Sequence, residues 1–189
     1  MAQTAPLDLY LDDCRNVLAV GAGTAETSFY PALSSALNAV GRGLKPRIFA
    51  LHHTSGKKAG IPDFGLFEVP ARKGVELPEW EAGIKPQRGV IEVKGLNADI
   101  GALAASAQVR DKYLPAYGLV LTTNLRQFRL LAPGGAVLES FDLAGSEAAF
   151  RALTDGVRPD TLRTRFEDFL QHGQSHSPPP GKTVDICWK

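Results

Sequence analysis

The chain is expected to fold as an α/β structure, a mixed β-sheet flanked by helices. Three observations carry that expectation. Phe29, Leu33, Leu37 and Val40 fall at the spacing of one helix face. The run Gly118-Leu119-Val120-Leu121-Thr122-Thr123 is nearly continuously apolar, as in a strand buried on both faces. Segments of the two kinds follow one another as helix, three strands, helix, strand and hairpin, with short helical segments after the hairpin.

The elements can be taken in order. Leu7-Asp8-Leu9-Tyr10-Leu11-Asp12-Asp13 reads as a short helix or strand packed on the core. Val17 to Gly23 is small and glycine-punctuated; its Gly-x-Gly lacks the third glycine and the following βαβ pattern that dinucleotide binding needs. The first clear helix begins at Glu26-Thr27-Ser28-Phe29-Tyr30-Pro31, with Thr27 or Ser28 as cap, Pro31 in the first turn, and Gly41 and Gly43 as stop. Arg47 to His52 reads as a strand, as does Asp63 to Val69 after a turn-rich Thr54 to Ala59. Arg72 to Arg88 is a long Gly/Pro/charged connection with Trp80 as its large aromatic, and loops of that length are often functional.

A strand at Val90 to Lys94 follows, then a helix capped by Asn97 or Asp99 that runs to Tyr113 and is closed by Pro115. Arg126 to Leu131 and Ala136 to Phe141 form a hairpin around Pro133-Gly134-Gly135. Helical segments are expected near Ser146–Leu153 and Pro159–Leu170. Residues 1–170 are thus read as one domain. The polar, proline-bearing stretch 171–189 is read as a linker toward further domains of a longer protein.

Composition bounds the rest. With 189 residues, 44% apolar and 22% charged, the chain has the makings of an ordinary core. A net charge of +1 gives no global signal for nucleic acid. Its distribution is more informative. Between Glu26 and Asp63 there is no acidic residue, whereas Arg42, Lys45, Arg47, Lys57 and Lys58 all fall there. That stretch either holds a polyanion or is a solvated basic face. Cys14 and Cys187 sit at opposite ends without metal-ligand spacing, and no disulfide framework is indicated. No secretory signal or membrane-length apolar run is visible, so a reducing cytoplasm is the expected compartment.

Two short segments carry the chemistry: Gly60-Ile61-Pro62-Asp63-Phe64-Gly65 and Gly89-Val90-Ile91-Glu92-Val93-Lys94-Gly95. Strand residues two apart share a face, so Glu92 and Lys94 project together. Pro62 fixes the backbone before Asp63 and interrupts regular pairing. Antiparallel strands could bring Asp63 beside Glu92. Two carboxylates suit a hard cation such as Mg²⁺, which takes one or two carboxylates plus substrate phosphate. A neighbouring lysine can orient or deprotonate water, or stabilise charge on a phosphate in transit.

Pro62-Asp63 followed by Glu92-Val93-Lys94 resembles the PD-(D/E)xK nuclease signature. The order of elements over roughly residues 20–135 resembles the core of that superfamily, which implies a restriction-endonuclease-like sheet. Glu26 resembles its first-helix glutamate. Gln108 to Tyr113 resembles the Gln…Tyr motif of nuclease domains related to type I restriction subunits and RecB-like enzymes, with one residue more than the usual spacing. Leu121 to Leu130 looks like the following segment in single-chain restriction–modification enzymes of the type ISP and IIG kind. In those large proteins an N-terminal nuclease domain precedes translocase, methyltransferase and target-recognition parts. This sequence carries no candidate for the translocase or methyltransferase parts and no Gly-x-x-x-x-Gly-Lys-Ser/Thr phosphate loop.

The resemblance implies that Asp63, Glu92 and the Val93 carbonyl bind Mg²⁺, with Mn²⁺ as a substitute. Glu26 would hold the metal directly or through water, Lys94 would handle the attacking water, and Gln108 would orient phosphate or water. Lys57, Lys58 and Asn124 are expected at the DNA face. Plainer readings stand beside these. Glu92 and Lys94 could be a surface ion pair, Gln108 a solvent-facing polar residue and Glu26 an acid favoured at a helix start. His52 and His53 could be ligands but are read as structural, and Trp80 and Tyr117 as packing residues. The expected function is a Mg²⁺-dependent endodeoxyribonuclease domain. The alternatives are a silent DNA-binding or assembly module of the same fold and a stand-alone repair or resolvase-type nuclease.

Overall fold

The computed structural model describes residues 4–21, 26–52, 60–69 and 85–176. Lys57, Lys58, His53, Trp80 and Cys187, all singled out above, lie outside those residues. The architecture is a six-stranded mixed sheet in the order β1 (Arg47–His52), β2 (Phe64–Val69), β3 (Val90–Val93), β4 (Val120–Thr123), β5 (Gln127–Leu131) and β6 (Val137–Asp142). Neighbours are antiparallel except β3 and β4, which run parallel with Glu92 opposite Thr122. β3 and β4 are buried along their whole length, as expected for central strands with both faces covered.

The expectations for the N-terminal third need correcting. Leu7 to Asp13 belongs to a 15-residue helix, α1 (Pro6–Val20), which buries Leu7, Tyr10, Leu11 and Cys14 at three- and four-residue intervals. Gly21 ends it with φ 65°, the left-handed conformation that glycine adopts without a Cβ penalty. The first glycine of the Gly-x-Gly is therefore a helix stop. Glu26–Phe29 forms a 3₁₀ turn that runs directly into α2 (Tyr30–Gly41). No side chain caps α2, so the expected Thr27 or Ser28 cap is not made; the preceding turn supplies the entry instead.

One face of the sheet carries α1, α2, α5 (Glu147–Asp155) and α6 (Asp160–Ser175) over a large apolar core. Its centre is aromatic: Phe128 meets the rings of Tyr10, Phe141, Phe166 and Phe169 at centroid distances of 5.9–6.5 Å. Each fully buried phenylalanine there contributes about 1.5–3 kcal/mol from burial. α6 runs past the expected end at Leu170, and Gln174, expected in a linker, is buried with its amide donating to the Leu37 carbonyl at 3.1 Å.

The other face is covered by the β3-to-β4 crossover. Asp99 caps α3 (Ile100–Ala104), its side chain accepting from the Ala102 N–H at 2.9 Å. The expected continuous helix is broken after Ala104. Its continuation, Gln108–Tyr113, is wound as a π-helical turn, and α4 (Leu114–Tyr117) follows with Pro115 in its first turn rather than as a stop. A smaller cluster of Val90, Val109, Tyr113, Leu114, Tyr117, Val120 and Leu131 packs this layer down. Among the described residues, no helix is long and apolar enough to cross a membrane.

Candidate active site at the end of β3

The site is built by the way β3 enters and leaves the sheet. Gly89 has φ 95°, and a Cβ there would stand 2.6 Å from the Leu119 carbonyl oxygen. Glycine thus lets the chain turn into β3 while its carbonyl accepts from Leu66 N–H at 3.0 Å and the next residue, Val90, donates to Leu119 at 3.1 Å. This sets β3 in register with β2 and β4 together. Phe64 lies opposite Ile91 in the antiparallel ladder, so the preceding residue, Asp63, arrives beside the C-terminal half of β3. Asp63 Oδ2 accepts from the Val93 N–H at 2.7 Å.

Glu92 points to the face opposite Ile91 and Val93. It is 3% exposed, which rules out the surface-pair reading. Lys94 Nζ donates to Glu92 Oε1 at 2.7 Å and to the Val93 carbonyl at 2.9 Å. Glu26, in the 3₁₀ turn before α2, brings its Oε1 to 3.9 Å from the same ammonium. Glu26, Asp63, Glu92 and Lys94, distant in sequence, thus share one electrostatic neighbourhood.

Burial pushes the Glu92 carboxyl above the usual range, and the charges of Asp63 and Glu26 push the same way. The Lys94 hydrogen bond and charge offset this only in part. Burial draws Lys94 down, but the hydrogen bond and charge of Glu92, with Glu26 and Asp63, outweigh it and raise the ammonium above its ordinary value. A buried carboxylate that burial and like charge disfavour, held by a cation, is a group that would gain from a stronger cation.

Asp63 and Glu92 with the Val93 carbonyl form an all-oxygen donor set, the chemistry that Mg²⁺ takes. The fit does not extend to three carboxylates: among the described residues, no three His, Cys, Asp or Glu side chains converge closely enough to hold a metal. Glu26 makes its contact with Lys94, at 3.9 Å.

The remaining expected residues divide. Gln108 Nε2 donates to the Tyr113 hydroxyl at 2.6 Å, and that hydroxyl donates to the Ile61 carbonyl at 3.0 Å. The extra residue in the Gln…Tyr spacing is absorbed by the π-helical turn, which brings positions five apart onto one face. Burial, together with Glu92 and Asp63, pushes the Tyr113 hydroxyl up to about 12 despite the Gln108 contact, so it stays a neutral donor.

Asn124, expected at the DNA face, is fully buried. Its amide donates to the Ala98 carbonyl at 2.7 Å, and its Oδ1 accepts from Gln127 N–H at 2.9 Å. Arg126 reinforces that join, Nε donating to the Leu96 carbonyl at 2.8 Å. Together they pin the loop leaving Lys94. His52 places its ring 6.1 Å from Tyr30 and 5.6 Å from Phe64. Tyr117 packs edge-on against Tyr113 at 6.1 Å, as a packing residue should.

Sequence reasoning missed Tyr30. Its hydroxyl donates to Asp63 Oδ1 at 2.5 Å from the first turn of α2. The available signal was a buried tyrosine four residues after Glu26, since a buried tyrosine hydroxyl needs a partner. A groove of about 300 Å³ opens beside Lys94, lined by Phe29, Leu96, Asn97 and Glu147 among others. A second groove of about 740 Å³, beside Arg42, Glu167 and Gln171, is lined by none of the site residues.

No protein-family model matches this chain, and no curated protein matches it either. Its fold is similar to that of a chain in the cryo-electron-microscopy structure of a DrdV–DNA complex. The TM-score is 0.52 at 16% identity, with 82% of this chain and 100% of that chain covered. At that identity the likeness is one of fold: the six-stranded mixed sheet with flanking helices is restriction-endonuclease-like, as the order of elements led one to expect.

Proposed function

We propose that this chain is a Mg²⁺-dependent endodeoxyribonuclease domain of the PD-(D/E)xK kind, serving as the cleavage module of a restriction–modification enzyme. The observation that carries the proposal is the buried Glu92. It is joined to Lys94 and lies beside Asp63 at one end of β3, in a sheet of restriction-endonuclease type. The DNA in the complex that contains the similar chain supports DNA as the polymer acted on.

Mg²⁺, or Mn²⁺ in its place, would be held by Asp63, Glu92 and the Val93 carbonyl, with Glu26 reaching it through water, and would supply Lewis-acid stabilisation of phosphate charge and a more acidic water. Lys94 orients or activates the attacking water; two of its three N–H donors are on Glu92 and the Val93 carbonyl, which leaves the third for that water. Gln108, with its amide on Tyr113, keeps its carbonyl oxygen for a water or its second N–H for a phosphate. Target-recognition, translocase or methyltransferase domains are the partners this reading calls for.

The test is plasmid nicking in Mg²⁺ by the wild type beside Asp63→Ala and Glu92→Ala, each with its fold checked by circular dichroism. Both variants should lose cleavage with the fold intact. Wild-type rates in either would place the chemistry elsewhere.

A further inference from the structure

We infer that Tyr30 is a positioning residue for the proposed metal site, its hydroxyl fixing the plane of the Asp63 carboxylate so that the remaining lone pairs face a divalent cation. The inference rests on the reading of Asp63 as a ligand.

Asp63 needs such a hold. It follows Pro62, which offers no N–H, and precedes the first ladder residue of β2, Phe64. Its backbone is therefore less constrained than that of Glu92, which lies within a four-residue strand and pairs with Thr122 of β4. Both Asp63 oxygens nevertheless have a donor. Tyr30 Oη gives one bond to Oδ1 at 2.5 Å, and the Val93 N–H gives one to Oδ2 at 2.7 Å. Two donors on two oxygens fix both position and rotation, whereas the Val93 bond alone leaves the carboxylate free to turn about it. Each oxygen keeps a further lone pair for a cation.

The tyrosine is itself held rigidly. Its side chain is 3% exposed, its ring packs 5.1 Å from that of Phe64, and Pro31 restricts the helix turn on which it sits. The donor thus comes from a fixed element to a ligand on an irregular one. Groups that orient metal ligands in this way typically change metal affinity or activity by about 10–100-fold when removed.

The experiment is a calorimetric titration of the whole chain with Mn²⁺, comparing the wild type, Tyr30→Phe and Asp63→Ala, with thermal midpoints measured without metal. Tyr30→Phe keeps the ring and its packing, so its midpoint should stay close to wild type while Mn²⁺ binding weakens by about 10–100-fold. Tyr30→p-aminophenylalanine, which returns an N–H donor to the same ring, should restore binding and serves as the fold-preserving variant. In nicking assays, Tyr30→Phe should raise the half-saturating Mn²⁺ concentration more than it lowers the rate at saturation.

Loss of binding in Asp63→Ala with wild-type binding in Tyr30→Phe would overturn the inference and leave the metal site standing. Equal weakening in both Tyr30 variants would also overturn it, since the donor would not be the cause. Wild-type binding in Asp63→Ala would sink the metal site itself.

Discussion

The two faces of the sheet are built to different standards. The face under α1, α2, α5 and α6 is a broad apolar core with an aromatic centre, and its helices keep regular three- and four-residue spacing. The face under α3 and α4 is held by a small cluster. It carries the buried Glu92 and Lys94 beyond it, and its covering helix is interrupted and widened into a π-helical turn. The first face supplies most of the stability and reaches the site through the start of α2 and the turn before it, with Tyr30 and Glu26; the second supplies placement of the other polar groups. Irregular winding belongs to the second because Gln108 and Tyr113 must reach the loop before β2, and regular α-helix would turn a residue five positions on away from its partner.

This contrast predicts very unequal responses to one-residue deletions, the largest effect expected. Deleting Ser35, exposed in the middle of α2, rotates every later core residue of that helix by about 100° and should cost a large share of the typical 5–15 kcal/mol of total stability. Deleting Asp111, exposed in the π-helical turn, restores ordinary helical spacing between Gln108 and Tyr113 and should change stability by less than about 2 kcal/mol. Urea denaturation followed by circular dichroism measures both. Similar losses in the two deletions would break the comparison.

What could be read from the sequence divides along the same line. Phe29, Leu33 and Leu37 announced α2 because burial on one face leaves a period, and Val120 to Thr123 announced a central strand because burial on both faces removes one. The Glu92–Lys94 pairing was legible since strand geometry alone puts residues two apart on one side. The length of α1 was not, because Leu7-Asp8-Leu9-Tyr10-Leu11 satisfies both a strand and a helix period. Asn124 has the composition of a surface turn. It is buried because β4 and the loop after Lys94 close over it, and Leu125 takes φ 71° with its N–H on Thr123 Oγ1 and its carbonyl accepting from Tyr10. That is a tertiary arrangement, and no local pattern records it. The same holds for Tyr30 and Asp63, which are brought together by the packing of α2 on the sheet.

A smaller effect is expected at the sheet edge, where β5 meets β6. Arg129 hydrogen-bonds Asp142 there, and that contact holds the Asp142 carboxyl below its ordinary 3.8. A carboxylate depressed in the folded state adds stability above its unfolded value, and that stability is lost as pH falls through the folded one. Asp142→Asn should therefore cost only about 0.2–1 kcal/mol at pH 7, and its gap to wild type should close below pH 3.8. Thermal midpoints across pH 2.5–7 measure it, and a gap that widens in acid would contradict the sign.

The central claim, that the polar end of β3 hydrolyses DNA, is tested most directly at Lys94. Lys94→Ala removes the group assigned to the water while leaving Asp63 and Glu92 in place. The decisive measurement pairs plasmid nicking in Mg²⁺ or Mn²⁺ with DNA binding in Ca²⁺, for the wild type and Lys94→Ala at equal concentration. The account predicts nicking by the wild type, none by Lys94→Ala, and retained DNA binding in both. Equal nicking by the two proteins would contradict it.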